Sequence, residues 1–184
     1  SNDGKIPSTI FYRPFDSWAP KAEWTVHLPH EEKITSVAVG LRWVAIATNA
    51  QVVRLFTHSG IQRSVFSIAG PIVSIIGNHD SLAIVYHAAF PLPGHQNLNV
   101  QLLDMKNRRK VYEGNCPLTP QSKLSWIGFA DNGMLYTMDS AYMLRAFVTY
   151  WSGTWMPMFT CQRVNSKDTL WPISIIDGQL THIV

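Results

Sequence analysis

The chain has 184 residues, 46% of them hydrophobic and 15% charged, with a formal net charge of +3. That length and apolar content suffice for one globular domain and exclude an intrinsically disordered polymer. A bias of +3 is too small to identify a nucleic-acid binder by charge alone.

The first segments, Ile10–Phe15 and Glu23–Leu28, read as two strands joined by a loop that carries Trp18, Pro20 and Lys21. A polar connection, Pro29 to Lys33, leads to short apolar runs at Ile34–Val39, Trp43–Ala47, Val52–Thr57, Val65–Ile68, Ile72–Ile76 and Leu82–Tyr86. Each run is too short for a typical helix and rich in the β-branched and aromatic side chains that suit a pleated surface. The breaks fall at Gly40, Asn49, Ser59-Gly60, Gly70-Pro71 and Gly77-Asn78. No charge occurs between Arg63 and Asp80, but Gly70-Pro71 splits that stretch into two strands, so no membrane partner is expected.

Ala88–Asn97 is a loop by composition, followed by candidate strands Leu98–Asp104 and Lys110–Tyr112 around Lys106-Asn107-Arg108-Arg109. Leu98, Leu102 and Met105 share a helical face as well, but the surrounding rhythm favours strand. A second loop, Gly114–Lys123, precedes Leu124–Phe129, Met134–Thr137, Tyr142–Val148 and Trp155–Phe159. Asn132-Gly133 suits the positive φ of a two-residue hairpin. Pro172–Ile176 and Gln179–Val184 flank a final turn at Asp177-Gly178.

Ile34, Ile72, Leu124 and Trp171 each open a group of strands, 38, 52 and 47 residues apart. Four strands per repeat of that size mark propeller blades. The expected fold is all-β, part of a six-bladed β-propeller in the reading below, with about three blades plus two partial blades in residues 1–184. Three blades and two remnants do not close a ring, so a larger domain or a cut chain is expected, and Ser1 in place of Met fits a cut.

Catalytic and metal chemistry find little support. Gly77-Asn78-His79-Asp80 matches one block of a metallophosphoesterase signature, yet the other ligand blocks that a two-metal hydrolase needs are absent, so a turn is expected. His27 and His30 lack further ligands of zinc-like spacing. Ser152 and Ser67 lie in no nucleophile elbow, and no Gly-rich phosphate loop occurs. Cys116 and Cys161 are too few and too distant for a disulfide framework or zinc site, and are expected to be free thiols in a reducing compartment. The chain holds no Asn-x-Ser/Thr acceptor, and its start lacks the build of a signal peptide. No catalytic, cofactor-binding or metal-binding residue, and no small-molecule substrate, is expected.

Two sets of residues are candidates for contact with partners. Lys106, Arg108, Arg109 and Lys110 form one basic cluster that could touch DNA phosphates, although a solvated edge hairpin explains the same charges. Trp24, Trp43, Trp126 and Trp155 fall inside strands and read as blade packing. Trp18 and Trp151 lie in or beside loops and are the candidate protein-interface residues.

The strings GLRWVAIATNAQVVRLFTHSGIQRSVFSIAGPIVSIIG (Gly40–Gly77), LSWIGFADNGMLYTMDS (Leu124–Ser140), GTWMPM (Gly153–Met158) and DSWAPKAEWTVHLP (Asp16–Pro29) resemble the central propeller, or SepB domain, of a replisome adaptor family. That family comprises the metazoan acidic nucleoplasmic DNA-binding protein and the yeast chromosome transmission fidelity adaptor. The resemblance implies a nuclear, non-enzymatic, homotrimeric, six-bladed propeller that links the replicative helicase, through GINS, to DNA polymerase α–primase and other clients. The family's N-terminal WD40 propeller, C-terminal helical bundle and HMG box are not recognisable in residues 1–184. A propeller that binds DNA directly through the basic hairpin is the alternative.

Overall fold

The computed structural model describes residues 6–15, 23–89, 96–161 and 171–183. Among them are sixteen strands: β1 (Thr9–Tyr12), β2 (Trp24–His27), β3 (Ile34–Val39), β4 (Trp43–Thr48), β5 (Val52–Thr57), β6 (Gln62–Ser67), β7 (Ile72–Asn78) and β8 (Ser81–His87), then β9 (Leu98–Asp104), β10 (Arg109–Asn115), β11 (Leu124–Phe129), β12 (Leu135–Asp139), β13 (Met143–Val148), β14 (Thr154–Thr160), β15 (Trp171–Ile176) and β16 (Gln179–Ile183). The only helical element among the described residues is one 3-10 turn, Tyr150–Ser152.

Three sheets have four strands, in the orders β3-β4-β5-β6, β7-β8-β9-β10 and β11-β12-β13-β14; β1-β2 and β15-β16 are two-stranded. All the strand pairs with a defined register are antiparallel. Ile34, Ile72, Leu124 and Trp171 are the first residues of β3, β7, β11 and β15, so the repeat read from the sequence is the repeat of the sheets.

The chain divides into two compact units, Ser1–Tyr86 and His87–Val184. In the first, Ile10, Leu28, Val44, Ile46 and Phe56 form a buried cluster flanked by Tyr12, Trp24, Val26 and Ile34. In the second, Ala130, Tyr136, Met138, Leu144, Ala146 and Ile175 form another, with Trp126 and Tyr142 packed against it. The second strand of each four-stranded sheet is the most buried: Val44 to Ala47 are at most 1% exposed, and all of β12 is buried. Each fully buried Val or Ile contributes about 1.5–3 kcal/mol.

Outer strands depart most from expectation. β6 begins at Gln62 rather than Val65, and β10 runs from Arg109 to Asn115 rather than from Lys110 to Tyr112. Both are largely exposed, so their residues carry no apolar alternation. β1 ends at Tyr12 rather than Phe15, with Pro14 unable to donate to a ladder. β7 continues through Gly77 and Asn78, where a break was expected. Gly77 is required there by a close approach: a Cβ would stand 2.7 Å from the Trp43 ring and 2.6 Å from the Val39 carbonyl oxygen. Asn132-Gly133 is also not a two-residue turn. Phe129 pairs with Leu135, Ala130 N–H donates to the Met134 carbonyl (2.9 Å), and only Gly133 has a positive φ, +79°. This is a longer loop with glycine at its left-handed position.

Candidate interaction surfaces

The basic cluster occupies the hairpin between β9 and β10, with Met105 to Arg108 as its turn and β10 at a sheet edge. Asp104 organises the turn. Its carboxylate accepts the Asn107 N–H (3.0 Å), the Asn107 side-chain amide (2.7 Å) and Arg109 Nε (3.2 Å). These bonds, the Asn107 backbone donor first, hold the Asp104 carboxyl down at about 2. Lys110 pairs with Glu113. Two of the four cations are thus committed to local carboxylates, while the exposed Lys106 and Arg108 have no ion pair among the described residues. Arg108 sits at φ +53°.

Trp18 lies outside the described residues. Trp151 stands at the connection between β13 and β14 and is 85% exposed, beside Tyr150 at 71%. Its backbone is left-handed (φ +50°, ψ +46°), and Ser152 (φ +64°) and Gly153 (φ +99°) also have positive φ. Gly153 N–H closes the turn onto the Tyr150 carbonyl, 3.0 Å. A Cβ at position 153 would collide with Tyr112 at 2.6 Å and Phe147 at 2.8 Å. Tyr112, Phe147 and Trp155 follow one another beneath Gly153, the first pair of rings tilted with centroids 4.6 Å apart and the second edge-on at 5.3 Å, so the turn stands on an aromatic base.

The strand tryptophans pack as the sequence implies. Trp24 stacks on Tyr12 and Phe56, and its Nε1 donates to the His58 carbonyl at 2.9 Å. Trp43 lies over Gly40 and Gly77 and donates to the His79 carbonyl at 3.0 Å.

That last bond explains Gly-Asn-His-Asp. Asn78 pairs with Ser81, leaving left-handed His79 (φ +46°) and Asp80 as the turn, and the His79 carbonyl also accepts Leu41 N–H at 2.8 Å. The tetrapeptide ties the β3-β4 hairpin to β7-β8. His27 Nδ1 is hydrogen-bonded to Thr9 Oγ1, 2.9 Å. Among the described residues no three His, Cys, Asp or Glu side chains cluster as metal ligands. Cys116 is a buried free thiol, and burial pushes it up to about 12; Cys161 is free and half-buried. An open apolar groove of about 380 Å³ runs between β1 and β3, lined by Ile10, Tyr12, Ile34, Val37, Val39 and Val44, among others.

Two ion pairs, one part-buried and one around a buried carboxylate, escaped the sequence reading. Arg54 in β5 donates both Nε (2.9 Å) and Nη2 (2.5 Å) to Glu32, which this bidentate bond holds below the usual carboxylate range. Arg145 in β13 donates Nη1 to Asp139 (2.6 Å) and Nη2 to Thr119 Oγ1 (2.9 Å). Asp139 is fully buried, which favours its neutral form. The N–H of Thr119 (2.9 Å), the Arg145 guanidinium and the N–H of Met143 (3.2 Å) outweigh that and lower its pKa. The available signal was an internal repeat: β5 reads VVRLFT and β13 MLRAFV, each with Arg third and Phe fifth.

Known proteins place the chain. The crystal structure of HIRA(644-1017) aligns with a TM-score of 0.56 at 18% identity, covering 73% of this chain and 42% of that one. KlHsv2, with loop 6CD replaced by a Gly-Ser linker, gives 0.55 at 12% identity, covering 77% and 46%. Likeness at those identities is likeness of fold, here the β-propeller. In sequence, the chain is 35% identical over 178 residues to Protein ENHANCER OF LHP1 1 of Arabidopsis thaliana, covering 96% of this chain and 19% of that protein. It is 38% identical over 175 residues to the Homo sapiens WD repeat and HMG-box DNA-binding protein 1, covering 93% and 16%. The chain thus spans less than a fifth of the length of these relatives. The family described as minichromosome loss protein, Mcl1, middle region, matches residues 1–184. The chain belongs to that family, the middle region of the minichromosome loss protein Mcl1.

Proposed function

We propose that the protein carrying this chain is a non-enzymatic scaffold of DNA replication in the nucleus. Residues 1–184 act as part of a six-bladed, homotrimeric propeller, and the whole adaptor links the replicative helicase, on its GINS side, to DNA polymerase α–primase. The observation that carries this reading is the family match along all 184 residues. The local geometry is in keeping with it, because what the described residues offer a partner is a set of exposed edges and turns. A trimer would raise the effective concentration of every client site without any new contact. The test is reconstitution: the purified full protein, GINS and polymerase α–primase are mixed and sedimented. One complex containing all three is expected, and the two clients migrating apart in its presence would refute the bridge.

A second reading, direct DNA binding, is favoured by the exposed Lys106 and Arg108. Charge reversal of both should weaken DNA binding and reduce the salt slope by about one per lost phosphate contact. Unchanged affinity and slope would remove this reading.

A further inference from the structure

We propose that Thr119 is a phosphorylation site for a proline-directed Ser/Thr kinase, and that the phosphate releases the connection entering the third four-stranded sheet. Among the chain's 11 prolines, Pro120 alone follows a serine or threonine. The Thr119-Pro120 step lies between β10 and β11, with Pro120 exposed and Thr119 half-buried. Proline lacks an N–H and biases the residue before it toward an extended backbone. A kinase groove with no partner for that N–H takes such a step in preference to others.

Hydrogen bonding makes this threonine a latch. Cys116 N–H on the Leu98 carbonyl holds one end of the connection, and the bonds exchanged by Lys123 and Ser140 hold the other. Between those ends, among the described residues, every hydrogen bond from residues 117–122 to the strands ends on Thr119. Its N–H donates to Asp139 Oδ2 at 2.9 Å, and its Oγ1 accepts Arg145 Nη2 at 2.9 Å. Ser122 bonds back to the Thr119 carbonyl, through its N–H (3.0 Å) and its Oγ (2.6 Å). A segment tied down at one residue opens locally far more often than the sheet it rests on, and opening frees the hydroxyl beside an already exposed Pro120.

Charge then keeps the opened latch from closing. The kinase moves the γ-phosphoryl group of ATP onto Oγ1: the new O–P bond forms as the bond to ADP breaks, and the hydroxyl proton passes to the kinase's catalytic aspartate. The product carries a charge of about −1.5 to −2 at neutral pH. In the closed latch Oγ1 shares a single guanidinium with Asp139, a fully buried carboxylate that accepts Arg145 Nη1 at 2.6 Å. A phosphate in that place competes for the guanidinium and repels the carboxylate, so the modified connection stays out.

The purified full protein is incubated with a proline-directed kinase and MgATP, the tryptic peptide of residues 111–123 is sequenced by mass spectrometry, and amide hydrogen exchange is read before and after. Wild type should gain one phosphate in that peptide, on Thr119 and not on Ser122. The amides of Thr119, Ala141 and Met143 all bond Asp139, and phosphorylation should speed their exchange about tenfold or more. Pro120→Ala, an exposed change that removes no hydrogen bond, should lose the phosphate and exchange like unmodified wild type, while Ser122→Ala should still be labelled. A bare Thr119 after the kinase has labelled a reference substrate in the same tube, or equal labelling of Pro120→Ala, would overturn the site. Phosphate on Thr119 with unchanged exchange would overturn the release.

Discussion

The first and third four-stranded sheets are two solutions to one problem, namely how to fix the connection that enters a blade. Their frames match bond for bond. Lys33 N–H donates to Asn49 Oδ1 and Asn49 N–H returns to the Lys33 carbonyl; in the third sheet Lys123 and Ser140 exchange the same pair of bonds. Thr35 Oγ1 bonds the Ala47 carbonyl as Ser125 Oγ bonds that of Met138. Gln51 (φ +59°) and Tyr142 (φ +61°) hold the same left-handed place in the turn to the third strand. Arg54 and Arg145 then occupy equivalent sites, opposite Ile46 and Thr137.

The difference is the source of the acid. Glu32 reaches Arg54 from the connection before β3, and the in-sheet position falls to Thr48, whose buried hydroxyl has no hydrogen-bond partner among the described residues. In the third sheet Asp139 takes that in-sheet position, and Arg145 reaches the connection through Thr119 instead. Each arginine clamps the entering chain, once with a part-buried loop carboxylate and once around a fully buried one. A clamp geometry that recurs in two sheets therefore tolerates a moved charge, and the depth of that charge decides the energetic consequence of breaking it.

Asp139→Ala should have the largest effect, because it strands a buried guanidinium and backbone donors at Thr119, Ala141 and Met143. A loss of about 3–5 kcal/mol in urea unfolding is expected. The pair Asp139→Thr with Arg145→Leu, which removes both charges, should recover most of it. Trp43→Ala should cost about 3–5 kcal/mol, since it empties the ring's seat over Gly40 and Gly77 and removes the bond to the His79 turn. Glu32→Ala, at a pair whose side chains retain 16 and 15% exposure, should cost less, about 1–2 kcal/mol.

Acid sharpens the same contrast. Asp139 and Glu32 both have folded pKa values below the ordinary one, so the stability they supply is complete above about pH 5 and is lost as pH falls through the folded values. Unfolding free energy should therefore drop from pH 5 toward pH 3, and the Asp139→Thr/Arg145→Leu protein should show a shallower slope. The smallest effect is expected at the β9-β10 hairpin tip, where Lys106→Glu should leave stability within about 0.5 kcal/mol of wild type.

Legibility in the sequence tracked burial. β4, β8 and β12 announce themselves because both faces are packed, so their apolar runs are unbroken. β6 and β10 carry mostly exposed polar residues, and their bounds came only with the register. Gly77 read as a break because its partner, the Trp43 ring, lies 34 positions away in the chain. The two clamps were hidden for a like reason: Glu32–Arg54 and Thr119–Arg145 are long-range pairs whose meaning depends on which strands adjoin. Trp151 was legible as a loop aromatic, while its left-handed backbone and its aromatic base were not.

The most direct test of the scaffold account is the mass of the intact protein by light scattering at micromolar concentration. The account predicts three copies per particle, and a particle of one copy across the accessible concentration range would contradict it.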